Sequence, residues 1–273
     1  MTPLPWPSDE ASFCDIDGAR LECATFGPPP QAAATLVLLH EGLGCVALWR
    51  DVPEKLAAAT GFGVFVYSRL GYGRSSPVAL PRPLDYMTRE AVTLLRVLDA
   101  AGVRRAVLIG HSDGASIAAI FAGAFDDKRV AGIALIAPHF FAEAHGLKAI
   151  RAAERAFAEG DLKARMAKYH ADVEGAFYGW SRAWLDPGFE HWNIGEYIDR
   201  WRVPALAVQG EDDAYGTMRQ IDEIRARARV DVETLILPGC GHAPQFERPT
   251  ETLAALAAFC RRVAGASFAG ASA

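Results

Sequence analysis

One serine in this sequence lies in a motif that would expose its hydroxyl to a substrate. Ser112 is the middle residue of the GHSDG motif at residues 110–114, between an apolar segment typical of a strand (residues 105–110) and a segment with helical spacing (residues 115–124). The two glycines of the motif permit a sharp turn and leave the hydroxyl uncrowded. Unpaired N–H groups at the start of the following helix could hold an oxyanion. The motif therefore predicts nucleophilic catalysis by Ser112.

A histidine and an aspartate follow two other predicted strands. His242 lies in the loop GCGHAP after the last apolar segment, and Asp213 ends the tetrapeptide GEDD after the apolar segment before it. Because the carboxyl ends of parallel strands meet at one edge of a sheet, these side chains are expected close to Ser112. We predict Ser112 as nucleophile, His242 as general base and then acid, and Asp213 as the group that orients the imidazolium. Asp212 is the alternative acid, and either aspartate could instead cap the next helix.

The elements that must position these residues alternate along the chain. Two short segments joined by Asp17-Gly18 predict a hairpin, and six apolar, β-branched segments predict buried parallel strands. Five segments with helical spacing lie between them. The pattern favours an α/β fold with one doubly wound sheet. The predicted strands are residues 13–16, 19–25, 34–40, 63–67, 105–110, 130–136, 204–209 and 232–237, and the predicted helices are residues 51–59, 88–101, 115–124, 218–228 and 251–263.

One long stretch interrupts this alternation. Residues 139–201 separate two strands that a single helix would otherwise join, and they contain 12 of the 27 aromatic residues and four of the six tryptophans. We interpret the stretch as a helical cap inserted over the carboxyl edge of the sheet. The predicted domains are therefore a core of residues 1–138 and 202–273 and a cap of residues 139–201.

These motifs resemble those of the serine hydrolases with the α/β-hydrolase fold, over nearly the whole chain. The resemblance rests on HEGLG at residues 40–44, GYGRS at residues 71–75, the GHSDG motif, and the histidine loop with Pro244, Glu247 and Pro249. It implies a mostly parallel eight-stranded sheet with helices on both faces and an inserted helical cap. The sequence departs from the family at Glu41, which splits the usual His-Gly pair, and at Ser68, where an aspartate is usual.

The resemblance also implies the groups that hold the oxyanion and the substrate. The backbone N–H of Asp113 and that of Gly42 or Leu43 would form the oxyanion hole. The Asp113 carboxylate could bind a substrate ammonium, as in related amino-acid ester hydrolases, or serve its own helix. Glu41 is a second candidate anion, unless Arg69 pairs with it. Five residues at or within the cap could border the substrate: His139, Phe140, Phe141, Trp180 and Trp184.

Serine at the motif's centre restricts the reaction. Relatives that open epoxides or displace halide carry an aspartate there, so these reactions are not expected. The first hypothesis is hydrolysis of a small carboxylic ester through an acyl-enzyme, without metal or other cofactor. The alternatives are a carbon–carbon bond hydrolase of ring-fission diketones, an aminoacyl-ester hydrolase, and a ligand receptor of the same fold that does not turn over its ligand.

Composition narrows the partners and the compartment. The 273 residues carry a net charge of −5 without any basic run, which excludes nucleic acid and anionic membrane as expected partners. No apolar run approaches the roughly 20 residues of a membrane span, and the first residues do not resemble a signal peptide. The five scattered cysteines indicate reduced thiols in the cytoplasm and no zinc site. A small-molecule, ester-like substrate is the expected partner, and a monomer and a homodimer are equally compatible.

Overall fold

Eight strands form one sheet in the computed structural model, which describes residues 4–8 and 12–265. The order across the sheet is β1-β2-β4-β3-β5-β6-β7-β8. The β1–β2 hairpin is antiparallel and β2 runs antiparallel to β4, whereas all other neighbouring strands are parallel. The predicted sheet is thereby confirmed. The strands are β1 (Ser12–Ile16), β2 (Ala19–Phe26), β3 (Thr35–Leu39), β4 (Gly63–Tyr67), β5 (Ala106–His111), β6 (Val130–Ile136), β7 (Ala205–Gly210) and β8 (Val232–Leu237).

Helices cover both faces of the sheet, because alternate strand residues point to opposite sides. On one face Leu36 and Val64 pack with α1 and α9, and on the other Val37 and Phe65 pack with α2 and α3. The α-helices are α1 (Val52–Thr60), α2 (Tyr86–Ala100), α3 (Asp113–Ala124), α4 (Ala144–Glu159), α5 (Leu162–Met166), α6 (Val173–Trp184), α7 (Arg219–Arg227), α8 (Pro244–Glu247) and α9 (Pro249–Ala264).

The long segment between β6 and β7 is helical. It contains α4, α5 and α6, followed by 3-10 helices at Pro187–His191 and Gly195–Arg200. Its interior aromatic residues belong to the same hydrophobic cluster as α2 and α3. The division into a core and a cap stays a prediction, and its terminal residues 1–3 and 266–273, like residues 9–11, lie outside the described residues.

The six parallel strands bring six loops to one edge of the sheet. These loops follow β3, β4, β5, β6, β7 and β8, and they carry the residues that the sequence motifs singled out. In the part of the chain that the structure describes, no helix is both long enough and apolar enough to cross a bilayer.

Candidate active site

Ser112 occupies a strained turn between β5 and α3. Its backbone angles are φ 53° and ψ −118°, a combination that residues other than glycine rarely adopt. A Cβ atom on Gly110 would overlap the carbonyl of Gly114, and one on Gly114 would overlap the carbonyl of Leu39. Only glycine fits at both positions. The helix α3 begins at Asp113, two residues before the predicted start, because the turn leads into it without a linker.

His242 and Asp213 form a close pair at the same edge. The Nδ1 atom of His242 lies 2.8 Å from both carboxylate oxygens of Asp213. The carboxylate also accepts hydrogen bonds from the Tyr215 backbone N–H (2.8 Å) and the Gln209 side-chain amide (2.9 Å). Burial by itself would raise the pKa of Asp213, but the contacts with His242 and the hydrogen bond from the Tyr215 N–H lower it to about 2. The neighbouring Asp212 is exposed, so Asp213 is the acid that contacts the histidine.

The loop that carries His242 is tied to the turn that carries Ser112. The His111 Nε2 atom lies 2.7 Å from the His242 carbonyl oxygen, and the Gln245 amide lies 3.1 Å from His111 Nδ1. Among the described residues, neither Ser112 Oγ nor His242 Nε2 has a hydrogen-bond partner, and no bond joins the two. Such catalytic contacts are often long without substrate. Sequence reasoning missed His111, Gln209 and Gln245 because they contact the site only through the fold.

The three backbone N–H groups predicted to hold an oxyanion are free. Within residues 4–8 and 12–265, the N–H groups of Gly42, Leu43 and Asp113 have no hydrogen-bond acceptor. The buried guanidinium of Arg69 bonds to the carbonyls of His40 and Glu41 and so holds the start of the loop. Unpaired N–H groups near a nucleophile are suited to bind a developing negative charge.

The Glu41 carboxylate contacts His111, the residue before Ser112. It lies 3.6 Å from the Nδ1 atom of His111, and Arg69 donates a hydrogen bond to the main-chain carbonyl of Glu41 and not to its carboxylate. Burial by itself would raise the pKa of Glu41, but the contact with His111 lowers it below its usual value. The position indicates a role in packing the loop against β5.

The Asp113 carboxylate is enclosed between two helices. It accepts hydrogen bonds from the Tyr86 hydroxyl of α2 (2.5 Å) and from the Trp184 indole of α6 (3.2 Å), and the residue is 1% exposed. Burial raises the pKa of this carboxyl, although Arg69 and the two hydrogen bonds oppose the effect. Asp113 therefore joins α2, α3 and α6, and it does not cap its own helix through its side chain.

A small cavity of about 20 Å³ lies beside Ser112. Of the predicted substrate residues, His139, Trp180 and Trp184 line it with Asp113. Phe140 and Phe141 do not, because the chain turns away after His139: the Phe140 N–H donates to Gln220, and Phe141 pairs with Asn193. The remaining lining residues, which the sequence did not single out, are Glu143, Gly146, Ile150 and Tyr215.

A larger cavity lies away from these groups. It measures about 290 Å³ between the β1–β2 hairpin and α2, and neither Ser112 nor His242 lines it. The larger cavity is therefore not the candidate active site. The candidate site is identified by the polar groups that converge at the carboxyl edge of the central strands.

The sheet order, the turn at Ser112 and the loops at its edge together define an α/β-hydrolase fold. The pattern of the alpha/beta hydrolase family matches residues 36–256. The chain belongs to that family.

Two individual relatives share less than a third of their aligned residues with this chain. Epoxide hydrolase B of Mycobacterium tuberculosis is 29% identical over 225 residues, which cover 80% of this chain and 57% of that protein. The human (Lyso)-N-acylphosphatidylethanolamine lipase is 31% identical over 123 residues, which cover 45% of this chain and 35% of the lipase. The chain thus spans little more than half of the one and about a third of the other. The solved structure of naproxen esterase from Bacillus subtilis superposes with a TM-score of 0.70 at 19% identity, covering 93% of this chain and 92% of the esterase.

Proposed function

We propose that this chain is a serine hydrolase that cleaves a small carboxylic ester through an acyl-enzyme. The observation that carries the proposal is the contact of His242 Nδ1 with the Asp213 carboxylate at 2.8 Å, on a loop tied to the strained turn at Ser112. A serine is a weak nucleophile at its own pKa and needs such a base. The free N–H groups of Gly42 and Leu43, which lie in the loop at residues 40–44 after β3 (the oxyanion loop), give further support.

The mechanism follows from these groups. His242 Nε2 takes the proton of Ser112 as Oγ bonds to the carbonyl carbon, and the electron pair of the C=O bond moves to the oxygen. The N–H of Asp113 and that of Gly42 or Leu43 stabilise this oxyanion. When the carbonyl re-forms, the bond to the alcohol oxygen breaks and the imidazolium protonates that oxygen. Water then attacks the acyl-enzyme by the same steps and releases the acid and Ser112.

The serine also separates this chain from its epoxide-hydrolase relative. Epoxide-opening members of the fold use an aspartate at this position, whereas this chain has Ser112 and places an aspartate one residue later. The Asp113 carboxylate is bonded to Tyr86 and Trp184 and is not free to attack an epoxide. We therefore assign acyl transfer to Ser112. We also propose a small-molecule partner and the cytoplasmic location that five free cysteines favour.

A second candidate is an aminoacyl-ester hydrolase. Two carboxylates, those of Asp113 and Glu143, line the cavity, and no lysine or arginine of the described residues does. Such a lining favours a cationic substrate over the dianionic diketones of the carbon–carbon hydrolases. Because Asp113 and Glu143 already accept hydrogen bonds from neighbouring side chains, we rank this candidate second.

The deciding experiment compares two esters of one alcohol. We expect the wild type to hydrolyse 4-nitrophenyl acetate, Ser112→Ala to lose at least about 10³-fold in kcat/KM, and Ser76→Ala to keep its activity. A fluorophosphonate should label the wild type at Ser112. A large preference for the alanyl ester that Asp113→Asn abolishes would favour the second candidate. Equal inertness of wild type and Ser112→Ala, without labelling, would contradict both and favour a receptor.

A further inference from the structure

A histidine between β6 and β7 reaches the loop with the free N–H groups. His170 lies between α5 and α6, is 5% exposed and makes contacts through both ring nitrogens. Its Nε2 atom lies 3.0 Å from the Leu43 carbonyl oxygen, and its Nδ1 atom lies 3.0 Å from the Gly73 backbone nitrogen. One side chain of the helical segment thus joins two loops of the sheet edge.

The two partners fix the protonation of His170. A carbonyl oxygen only accepts, so Nε2 carries the hydrogen, and a backbone N–H only donates, so Nδ1 is the bare nitrogen. Burial lowers the pKa of this imidazole and keeps it in the neutral form that both bonds need. The Ala171 N–H donates to the Gly73 carbonyl at 2.8 Å and holds the same contact in place.

The loop is held on both sides of its free donors. Before Gly42, the Arg69 guanidinium bonds to the carbonyls of His40 and Glu41. After Leu43, the His170 imidazole bonds to the carbonyl. The two peptide planes that present the N–H groups of Gly42 and Leu43 are therefore fixed between these two anchors.

We propose that His170 is a positioning residue of the oxyanion hole. By holding the Leu43 carbonyl it orients the N–H groups that receive the negative charge, an effect that rests on the proposed serine hydrolase mechanism. A displacement of about 1 Å in a catalytic group can lower the rate about 100-fold. His170 touches no reacting atom, so it acts only through the loop.

Two amide variants separate the two hydrogen bonds. In His170→Asn the amide oxygen takes the place of Nδ1 and keeps only the bond from Gly73, whereas in His170→Gln the amide nitrogen takes the place of Nε2 and keeps only the bond to Leu43. His170→Phe keeps neither. Tyr169→Ala, at an exposed neighbouring side chain, is the control.

Two measurements should rank His170→Gln and His170→Asn in opposite orders, while His170→Phe should lose both activity and Gly73 protection. We expect kcat on the ester to stay within about threefold of wild type in His170→Gln and to fall roughly 10- to 100-fold in His170→Asn and His170→Phe, with little change in KM, because an oxyanion contact acts in the transition state. Protection of the Gly73 amide from hydrogen exchange should persist in His170→Asn and be lost in His170→Gln and His170→Phe.

If the role of His170 is purely structural, kcat and Gly73 amide protection should rank the variants in the same order. If kcat follows Gly73 protection, or if all three variants lose activity equally or change only KM, the proposal is wrong. The proposed function is decided separately by Ser112→Ala: turnover that survives that change refutes serine catalysis whatever the His170 variants do.

Discussion

Burial keeps the imidazole of His139 uncharged next to the proposed base. Its ring centroid lies 5.7 Å from that of His242 and 5.4 Å from that of Trp184. Burial lowers the pKa of His139 from its usual 6.5 to about 3, and the nearby His242 contributes to the shift. The unfolded chain therefore binds a proton at this residue between about pH 6.5 and pH 3, whereas the folded chain does not. The free energy of unfolding must fall as the pH falls through that interval.

Replacing His139 should make stability less sensitive to pH. The shift contributes about 1.5 kcal/mol of lost stability between pH 6.5 and pH 5, and His139→Phe should remove this contribution. Urea unfolding at the two pH values measures it. His191→Phe, at an exposed histidine, is the control and should change nothing. An unaltered pH dependence in His139→Phe would mean that the folded protein protonates this residue freely.

The sequence predicts the candidate catalytic residues, which follow strands, but it does not predict the residues that hold their loops in place. Ser112, Asp213 and His242 each follow an apolar segment, and the fold requires such positions to share an edge. Nothing in the sequence near His170 indicates Leu43, because their contact spans 127 residues. The same holds for His111, whose role depends on a loop far along the chain.

At the scale of elements, α6 of the helical segment packs directly on the loop that carries Gly42. The indole of Trp180 packs so tightly on Gly42 that a Cβ atom there would overlap its Nε1 and Cδ1 atoms. The rigid, bulky indole cannot yield without a shift of α6. Trp180 also lines the small cavity beside Ser112, and we expect its contact with Gly42 to open when a substrate enters.

A double-mutant cycle tests the contact between α6 and the loop. Gly42→Ala should lower the free energy of unfolding by about 1–3 kcal/mol through overpacking. In a Trp180→Ala background, which itself loses about 3–5 kcal/mol, the same change should have almost no effect.

Gly265→Ala is the matched control for this cycle. Among the described residues, a Cβ atom at Gly265 would meet no atom closer than Phe62 Cζ at 4.0 Å, so its effect should be the same in both backgrounds. Additive effects of Gly42→Ala and Trp180→Ala would show that α6 does not press on the loop in solution.

Strands were easier to predict than the helices between β6 and β7. Two-residue alternation and β-branched runs located every strand to within one residue at each end. The helices α4 to α6 were predicted only as a helical region, since their aromatic residues pack in several directions and obscure the period of 3.6. The helix α2 begins at Tyr86, two residues before the predicted start, and the Tyr86 hydroxyl donates to Asp113.

At the scale of the whole molecule, the helical segment shares its interior with the sheet domain. Phe157, Trp184 and Phe189 belong to one hydrophobic cluster with Leu94 and Phe121 of α2 and α3. Polar bonds cross the same boundary, including the Trp201 indole to the Ala119 carbonyl at 3.0 Å. Among the described residues, the buried aromatic side chains of the segment form no cluster apart from that of α2 and α3. A unit that unfolds alone would need a core of its own.

We therefore expect one cooperative unfolding transition. Four of the six tryptophans lie in residues 139–201, so a Trp6→Phe, Trp49→Phe variant makes fluorescence report on that segment alone, while far-ultraviolet circular dichroism reports on the whole chain. The two urea midpoints should coincide, as they do when no intermediate is populated. A fluorescence transition at clearly lower urea would mean that the segment detaches first, and that the shared cluster contributes less to its stability than its burial indicates.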